Sequence, residues 1–300
     1  MNKLWTRLPG SREGSMKMKN KINNKRKKIY ALLLSGLLLS VSLAGCGSDA
    51  QGASAGGADD SGTIVLKGIA AAVPHAELIE AVEPQLEAQG IKVDLVSTAP
   101  DATTNQKLAA GEIDFNFFQH EPYLESENKA NGFDLVSAGA THVEPITAYS
   151  DKYKSVDELP DNAVVAIPSD GTNEYRALLI LEKNGFIKLK DSTSDLLDAT
   201  VDDVEEYLKP IKIVEIDADQ IIPTKADYDF YITNTNKVLE AKVTSNKLFS
   251  EGADSPYANI VAVRAEDKDD PAIKALVAAL TSDEAKQFIE EHYNGAVIPV

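Results

Sequence analysis

Beyond residue 62 the chain alternates short apolar runs with stretches whose apolar positions recur every three or four residues. Ile64-Val65-Leu66-Lys67-Gly68-Ile69 predicts a strand. His75 to Gln89 carries Leu78, Ile79, Val82 and Leu86 at the i, i+1, i+4, i+8 spacing of an amphipathic helix. Gly90 is placed to close it, and Pro84 to kink or shorten it. Ile91 to Val96 alternates as a strand, Thr103 to Ala110 reads as a short helix ending at Gly111, and Ile113 to Phe118 reads as the next strand. A second set follows. Ala163 to Pro168 is a buried-type strand, Ser169 to Thr172 a loop, and Asn173 the N-cap of a helix running to Asn184, with Gly185 after it. Ile211 to Ile216, Asp219 to Lys225 and Tyr228 to Thr233 repeat the pattern. Asn259 to Val263 is a further strand, followed by amphipathic helices over Pro271 to Leu280 and Ser282 to Tyr293. This rhythm predicts an α/β fold: parallel sheets covered by helices, in two units. A ligand cleft is then expected between the units, at the carboxyl ends of the strands.

The start of the chain follows neither period. Lys25-Arg26-Lys27-Lys28 is a basic block, and Ile29 to Ala44 is an uncharged apolar stretch ending in small residues. Together they define a secretory signal. At about 16 residues the stretch is shorter than the roughly 20 that span a bilayer. Cys46, the one cysteine in the chain, closes the run Leu43-Ala44-Gly45-Cys46. That run resembles the bacterial lipoprotein processing site, where the cysteine becomes the lipidated first residue of the mature protein. Residues 1–45 are therefore expected to be a signal peptide, with Met16 or Met18 as an alternative start. Residues 46–62, rich in Gly, Ser, Ala and Asp, are expected to form a flexible tether, with the folded part starting near Thr63. The mature protein is expected on the extracytoplasmic side of the cell membrane, held by lipid.

Charge sharpens that expectation. The first 28 residues hold ten basic residues and one acid, which leaves 20 basic and 46 acidic residues from Cys46 onward, a net of −26. Such a surface repels nucleic acid and anionic headgroups alike, so lipid and not charge must hold it at the membrane. One cysteine allows no disulfide within the chain, and stability must come from a core. About 240 residues after the tether suffice for one large or two modest domains.

Two segments carry candidate chemistry. Phe117-Phe118-Gln119-His120-Glu121-Pro122-Tyr123-Leu124 stands at a strand end and combines aromatics with an imidazole. It is either a strand edge running into a helix or the wall of a pocket for a small molecule with an apolar tail. Asn173-Glu174-Tyr175-Arg176-Ala177-Leu178 opens a helix and puts Arg176 in the first turn, where the dipole disfavours a cation. It is either a solvated arginine or, with the helix-start amides, a clamp for a carboxylate. Of the four histidines, His75, His120, His142 and His292, none forms a closely spaced pair; a metal site built from His120 and His142 with a carboxylate is a minor alternative. No nucleophile elbow, P-loop or dinucleotide-binding glycine motif occurs, so neither an enzyme nor a cofactor is indicated.

Taken in order, several stretches resemble the NlpA family of lipoproteins, the methionine-binding subunits of ABC importers. They are Pro74-His75-Ala76-Glu77, Gly111-Glu112-Ile113-Asp114, Phe118-Gln119-His120 with Pro122-Tyr123-Leu124, His142-Val143-Glu144-Pro145, Tyr153-Lys154-Ser155 to Leu159-Pro160, Thr172-Asn173-Glu174 with Arg176-Ala177-Leu178, and Pro256-Tyr257-Ala258-Asn259. The resemblance covers about Ile64 to Pro299. It implies a type II periplasmic-binding fold with two crossovers: residues 63–142 completed by 257–300 as one lobe, and 143–256 as the other. It implies that Phe118, His120 and Tyr123 line the side-chain pocket, that Arg176 holds the ligand carboxylate, and that Asn234 and Asn259 bond its amino and carboxylate groups. Asp101, His142 and Asn173 are further pocket candidates. The implied partners are an amino acid, methionine first, and an ABC importer permease. Two departures stand out: Asp101 where the family usually has an aromatic, and Asn234-Thr235-Asn236-Lys237 where it has Asn-Gly-Asn-Tyr. They keep open another amino acid or a short peptide as ligand. The rival class is a zinc- or manganese-binding importer lipoprotein.

Overall fold

The computed structural model describes residues 56–58, 62–101, 103–193, 199–252 and 255–300. Cys46 and the signal segment lie outside the described residues. The first lobe runs β1 (Gly57–Ala58), β2 (Ile64–Ala70), α1 (Glu77–Glu87), β3 (Ile91–Ser97), α2 (Thr104–Ala109), β4 (Phe115–His120), α3 (Glu121–Asn131) and β5 (Leu135–Val143). The chain then crosses into β6 (Thr147–Ser150), β7 (Ala163–Pro168), α4 (Gly171–Lys183), β8 (Ile187–Leu189), β9 (Val204–Tyr207), β10 (Ile211–Ile216), α5 (Ala218–Ile221), β11 (Phe230–Thr233), α6 (Thr235–Glu240) and β12 (Asn246–Ser250). It returns as β13 (Ala258–Arg264), α7 (Pro271–Leu280), α8 (Asp283–Tyr293) and β14 (Ile298–Pro299).

One sheet has the order β1-β2-β4-β13-β5-β14 with β3 also on β2, a second the order β10-β7-β11-β6-β12, and β8 and β9 form a separate antiparallel pair. The strands of the helical crossovers are parallel, as the alternation implies: β2 with β3 and β4, and β7 with β10 and β11. The sheets are nonetheless mixed. β13 runs antiparallel to β4 and β5, and β6 antiparallel to β11 and β12. The reason lies in the two crossings. A strand leaving a lobe and a strand returning to it run in opposite directions, so side by side they must pair antiparallel.

Each lobe has its own core. Leu78, Ile79, Val82 and Leu86 of α1 are buried against Phe115, Phe117, Ile273, Leu276 and Ile289. In the second lobe Val165, Ile167, Leu178 and Leu181 surround Phe186, Phe230 and Phe249, whose ring centroids lie 5.6–6.3 Å apart. α1 begins at Glu77, later than the periodicity suggests, because Ala72–Ala76 forms a separate turn that places His75. Pro84 does not end α1. A helix-interior proline costs about 3 kcal/mol, and burying four large apolar side chains at about 1.5–3 kcal/mol each outweighs it.

Two further features differ from the sequence expectation. The N-cap of α4 is Asp170, whose carboxylate accepts from Asn173 N at 3.0 Å. Asn173 therefore sits inside the first turn and Arg176 beyond it. Gly57 and Ala58, within the stretch expected as tether, pair with Val65 and Ile64 at the edge of β2.

Candidate functional site

β4 ends and α3 begins at His120, so a strand end and a helix start meet in one residue. His120 Nδ1 accepts from Tyr123 N at 3.2 Å, which leaves the ring hydrogen on Nε2, 3.2 Å from Asn173 Oδ1. Burial, and after it the Arg176 charge, hold the ring down to a pKa of about 3. His120 is thus a neutral strut that joins the two lobes. Phe118 and Tyr123, ring centroids 6.2 Å apart, line a cavity of about 150 Å³ beside it, together with Pro100. At roughly 10–15 Å³ per water-sized position that volume holds about ten such positions, the scale of one small amino acid.

The second lobe supplies the cavity's charge. Arg176 is 2% exposed. Its Nε and Nη2 reach Glu251 Oε1 and Oε2 at 3.4 and 2.5 Å, Nη2 also donates to Glu144 O at 3.0 Å, and Nη1 donates to Asn173 Oδ1 at 3.2 Å. The Tyr257 ring lies 4.5 Å from the guanidinium carbon. Of the five guanidinium N–H groups, one on Nη1 is left without a partner among the described residues. Arg176 is therefore a fixed fork with an internal carboxylate, not a free surface cation.

Two asparagines have their orientation set by their neighbours. Asn234 Nδ2 donates to Asn173 Oδ1 at 2.8 Å, which leaves Asn234 Oδ1 as an acceptor for the cavity. His75 Nε2 lies 3.1 Å from Asn259 Oδ1 and 3.3 Å from Glu144 Oε1. A carboxylate only accepts, so His75 carries its hydrogen on Nε2 and Asn259 presents its NH₂ to the cavity. The cavity thus holds an acceptor on Asn234 and donors on Asn259 and Arg176, matching an ammonium and a carboxylate on one small molecule. Gln119 also lines it. A buried amide network fixes Gln119, with Nε2 donating to Asn105 Oδ1 and Asn116 Oδ1, each at 2.7 Å.

Asp101 does not line the cavity; its neighbour Pro100 does. Asp101 Oδ1 accepts from Thr103 N at 2.9 Å and Thr103 Oγ1 at 2.6 Å, a turn that leads into α2, and these bonds hold its carboxyl below the usual range. Lys237 does line the cavity, with its ammonium paired to Asp219. His142 lies behind the wall and is bonded to Glu144, not to His120. The histidine–carboxylate cluster is His75, His142 and Glu144, whose ligating atoms lie within 4.8 Å of one another.

Glu251, Glu144, Lys237 and Pro100 are among the site residues that sequence reasoning missed, whereas Gln119 lies within the aromatic segment it singled out. Glu251 stands 75 residues from Arg176 and no spacing connects them. For Glu144 a signal existed: it stands two residues after His142 in the stretch that becomes the crossover.

Two α/β lobes joined by crossing strands around a cavity with aromatic, cationic and amide walls define a two-lobe solute-binding protein. The chain belongs to the NlpA lipoprotein family, whose model matches residues 67–300. It is 37% identical to the methionine-binding lipoprotein MetQ of Bacillus subtilis, over 90% of this chain and 98% of that one. It is 38% identical to the D-methionine-binding lipoprotein MetQ of Salmonella typhi, over 88% and 95% respectively. Among solved structures, a nutrient binding protein from Burkholderia cenocepacia bound to methionine is 40% identical, with a TM-score of 0.74, covering 78% of this chain and 99% of that one.

Proposed function

We propose that this protein is the lipid-anchored solute-binding subunit of an ABC importer and captures methionine from outside the cytoplasmic membrane. The observation that carries this reading is the orientation of the cavity's polar groups. Arg176 and the Asn259 amide donate, Asn234 accepts, and Phe118, Tyr123 and Pro100 offer an apolar wall to a side chain. A relative 40% identical is described as bound to methionine, which supports the same ligand here. No bond is made or broken in this function; the lobes close on the ligand and present it to a permease. Cys46 carries the anchoring lipid. The net charge of −26 from Cys46 onward keeps the folded part off anionic headgroups. Asp101 is outside the cavity lining with its carboxylate engaged by Thr103, and so leaves ligand choice untouched, whereas Lys237 borders the cavity.

The test is to denature the purified protein and identify the released small molecule by mass spectrometry. Calorimetric titration with L-methionine, D-methionine, other amino acids and methionyl dipeptides then follows. Methionine in the released fraction, and the tightest isotherm for either enantiomer, support the reading. A dipeptide or a different amino acid as the tightest ligand replaces methionine, and no amino-acid binding at all sinks it.

A further inference from the structure

Glu144 lies between β5 and β6, in one of the two crossings, and is 5% exposed. Its Oε1 receives His142 Nε2 at 2.9 Å and faces His75 Nε2 at 3.3 Å; both histidines belong to the first lobe. Its Oε2 accepts from Asn236 N, in the first turn of α6 of the second lobe, at 2.8 Å. Its main-chain carbonyl accepts from Arg176 Nη2 at 3.0 Å. α6 packs against the Ala72–Ala76 turn that carries His75, so the carboxylate stands where the two lobes touch beside the hinge.

We infer that Glu144 is the latch that couples ligand capture to lobe closure: a positioning residue whose two carboxylate oxygens tie the cavity walls of opposite lobes to one hinge residue. This role rests on the proposed amino-acid capture. Through His75 the carboxylate fixes Asn259, the cavity's amide donor on the first lobe. Through Asn236 N it fixes the start of α6, where Asn234 and Lys237 line the cavity. Oε1 holds two contacts within the first lobe and Oε2 one to the second, so the lobes cannot part here without losing the contacts of one oxygen or the other. Closing remakes them and brings the Asn234 acceptor and the Asn259 donor to their spacing. The carboxylate is buried, so a partner lost on opening is not fully replaced by water, and the closed state is favoured.

The test uses the full chain with spin labels on Lys92→Cys in β3 and Lys212→Cys in β10, exposed positions on opposite lobes. Label uptake by the unsubstituted chain measures the contribution of Cys46. Inter-lobe distance by pulsed dipolar spectroscopy and methionine affinity by calorimetry are read for wild type, Glu144→Gln, Asn236→Pro and Asn236→Ala. Glutamine offers one acceptor where two are needed and points an NH₂ at donors on the other side. Asn236→Pro removes the α6 N–H in a first turn that tolerates proline, and Asn236→Ala controls for the lost side chain, which borders the cavity. The expected result is affinity weaker by roughly tenfold or more in Glu144→Gln, and in Asn236→Pro relative to Asn236→Ala. In both variants a long-distance population should persist at saturating methionine where wild type shows one short distance. If Glu144→Gln does not fold, the Asn236 pair decides. Weakened affinity with complete closure overturns the latch, as does wild-type behaviour in both variants. A wild type that neither binds methionine nor closes refutes the capture reading itself, which separates the two failures.

Discussion

Arg176 shows how far one residue's role depends on partners that are distant in sequence. A surface arginine near a helix start is silent when removed. This one holds Glu251 at 2.5 Å in a nearly closed site. Arg176→Ala should weaken methionine binding by about 2–5 kcal/mol, and by stranding Glu251 should also lower stability by about 3–5 kcal/mol. In Arg176→Ala/Glu251→Ala the stability should partly return and the affinity should not. Calorimetry and urea unfolding on both proteins check this, and restored affinity in the double variant would remove Arg176 from the clamp. Asp101 is the opposite case. The sequence showed that it departs from the family pattern, but not that its carboxylate turns toward Thr103 and leaves Pro100 on the cavity. Asp101→Tyr should therefore leave methionine affinity within about twofold while costing about 0.5–2 kcal/mol of stability through the lost turn bonds. Tighter methionine binding by that variant would reinstate the position as part of the pocket. The aromatic and imidazole cluster around His120 was legible because its members are neighbours in sequence. The Asn105–Gln119 pair was not, since buried amides carry no periodic signal.

At the scale of elements, hydrophobic period located the strands and helices whose burial is one-sided or complete. Ile211–Ile216 and Pro271–Leu280 match to the residue, and Ser282 caps α8 through Ala285 N at 3.2 Å. Among the described residues the strands that escaped are β1, β5, β6, β8, β9, β12 and β14. β5 reads Leu-Val-Ser-Ala-Gly-Ala-Thr-His-Val, small and polar in its middle, because α7 packs directly on it. A Cβ added at Gly139 would stand 2.5 Å from Val277 Cγ1, so close approach and not side-chain bulk stabilises that strand. Gly68 in β2 is tighter still: a Cβ there would fall 2.2 Å from the Phe115 ring. Phe115 is fully buried and has nowhere to move. Gly68→Ala should therefore destabilise the first lobe by about 1–3 kcal/mol or more, read as a lowered urea midpoint. An unchanged midpoint would mean that Phe115 rotates freely, against its packing.

At the scale of the whole molecule, the anchor and the fold respond to different variables. Cys46→Ala should release the protein from the membrane or leave it unprocessed, which fractionation reads directly; quantitative membrane retention after signal removal would refute lipid anchoring at Cys46. The fold should respond to acid. Burial holds His75 to a pKa of about 4 and His120 to about 3, against an ordinary 6.5. Between those values the unfolded chain takes up protons that the folded chain refuses, so stability is full above pH 6.5 and falls as pH drops through the window. At about 1.4 kcal/mol per pKa unit, two rings should cost on the order of 5 kcal/mol by pH 4. Glu174 acts in the opposite sense. Burial, with Glu215 beside it, pushes its carboxyl up to about 7 despite its bond to Val201 N, so the folded state protonates it first. That contribution grows as pH falls from about 7 toward the ordinary carboxylate range and offsets part of the histidine loss. Urea unfolding between pH 7 and pH 4 should accordingly show a net fall in stability. His120→Asn, which keeps a good N-cap at the start of α3, should make that fall shallower, and Glu174→Gln should make it steeper. A His120→Asn protein with the wild-type pH slope would mean that His120 takes up its proton in the folded state, and would contradict the strut between His120 and Asn173.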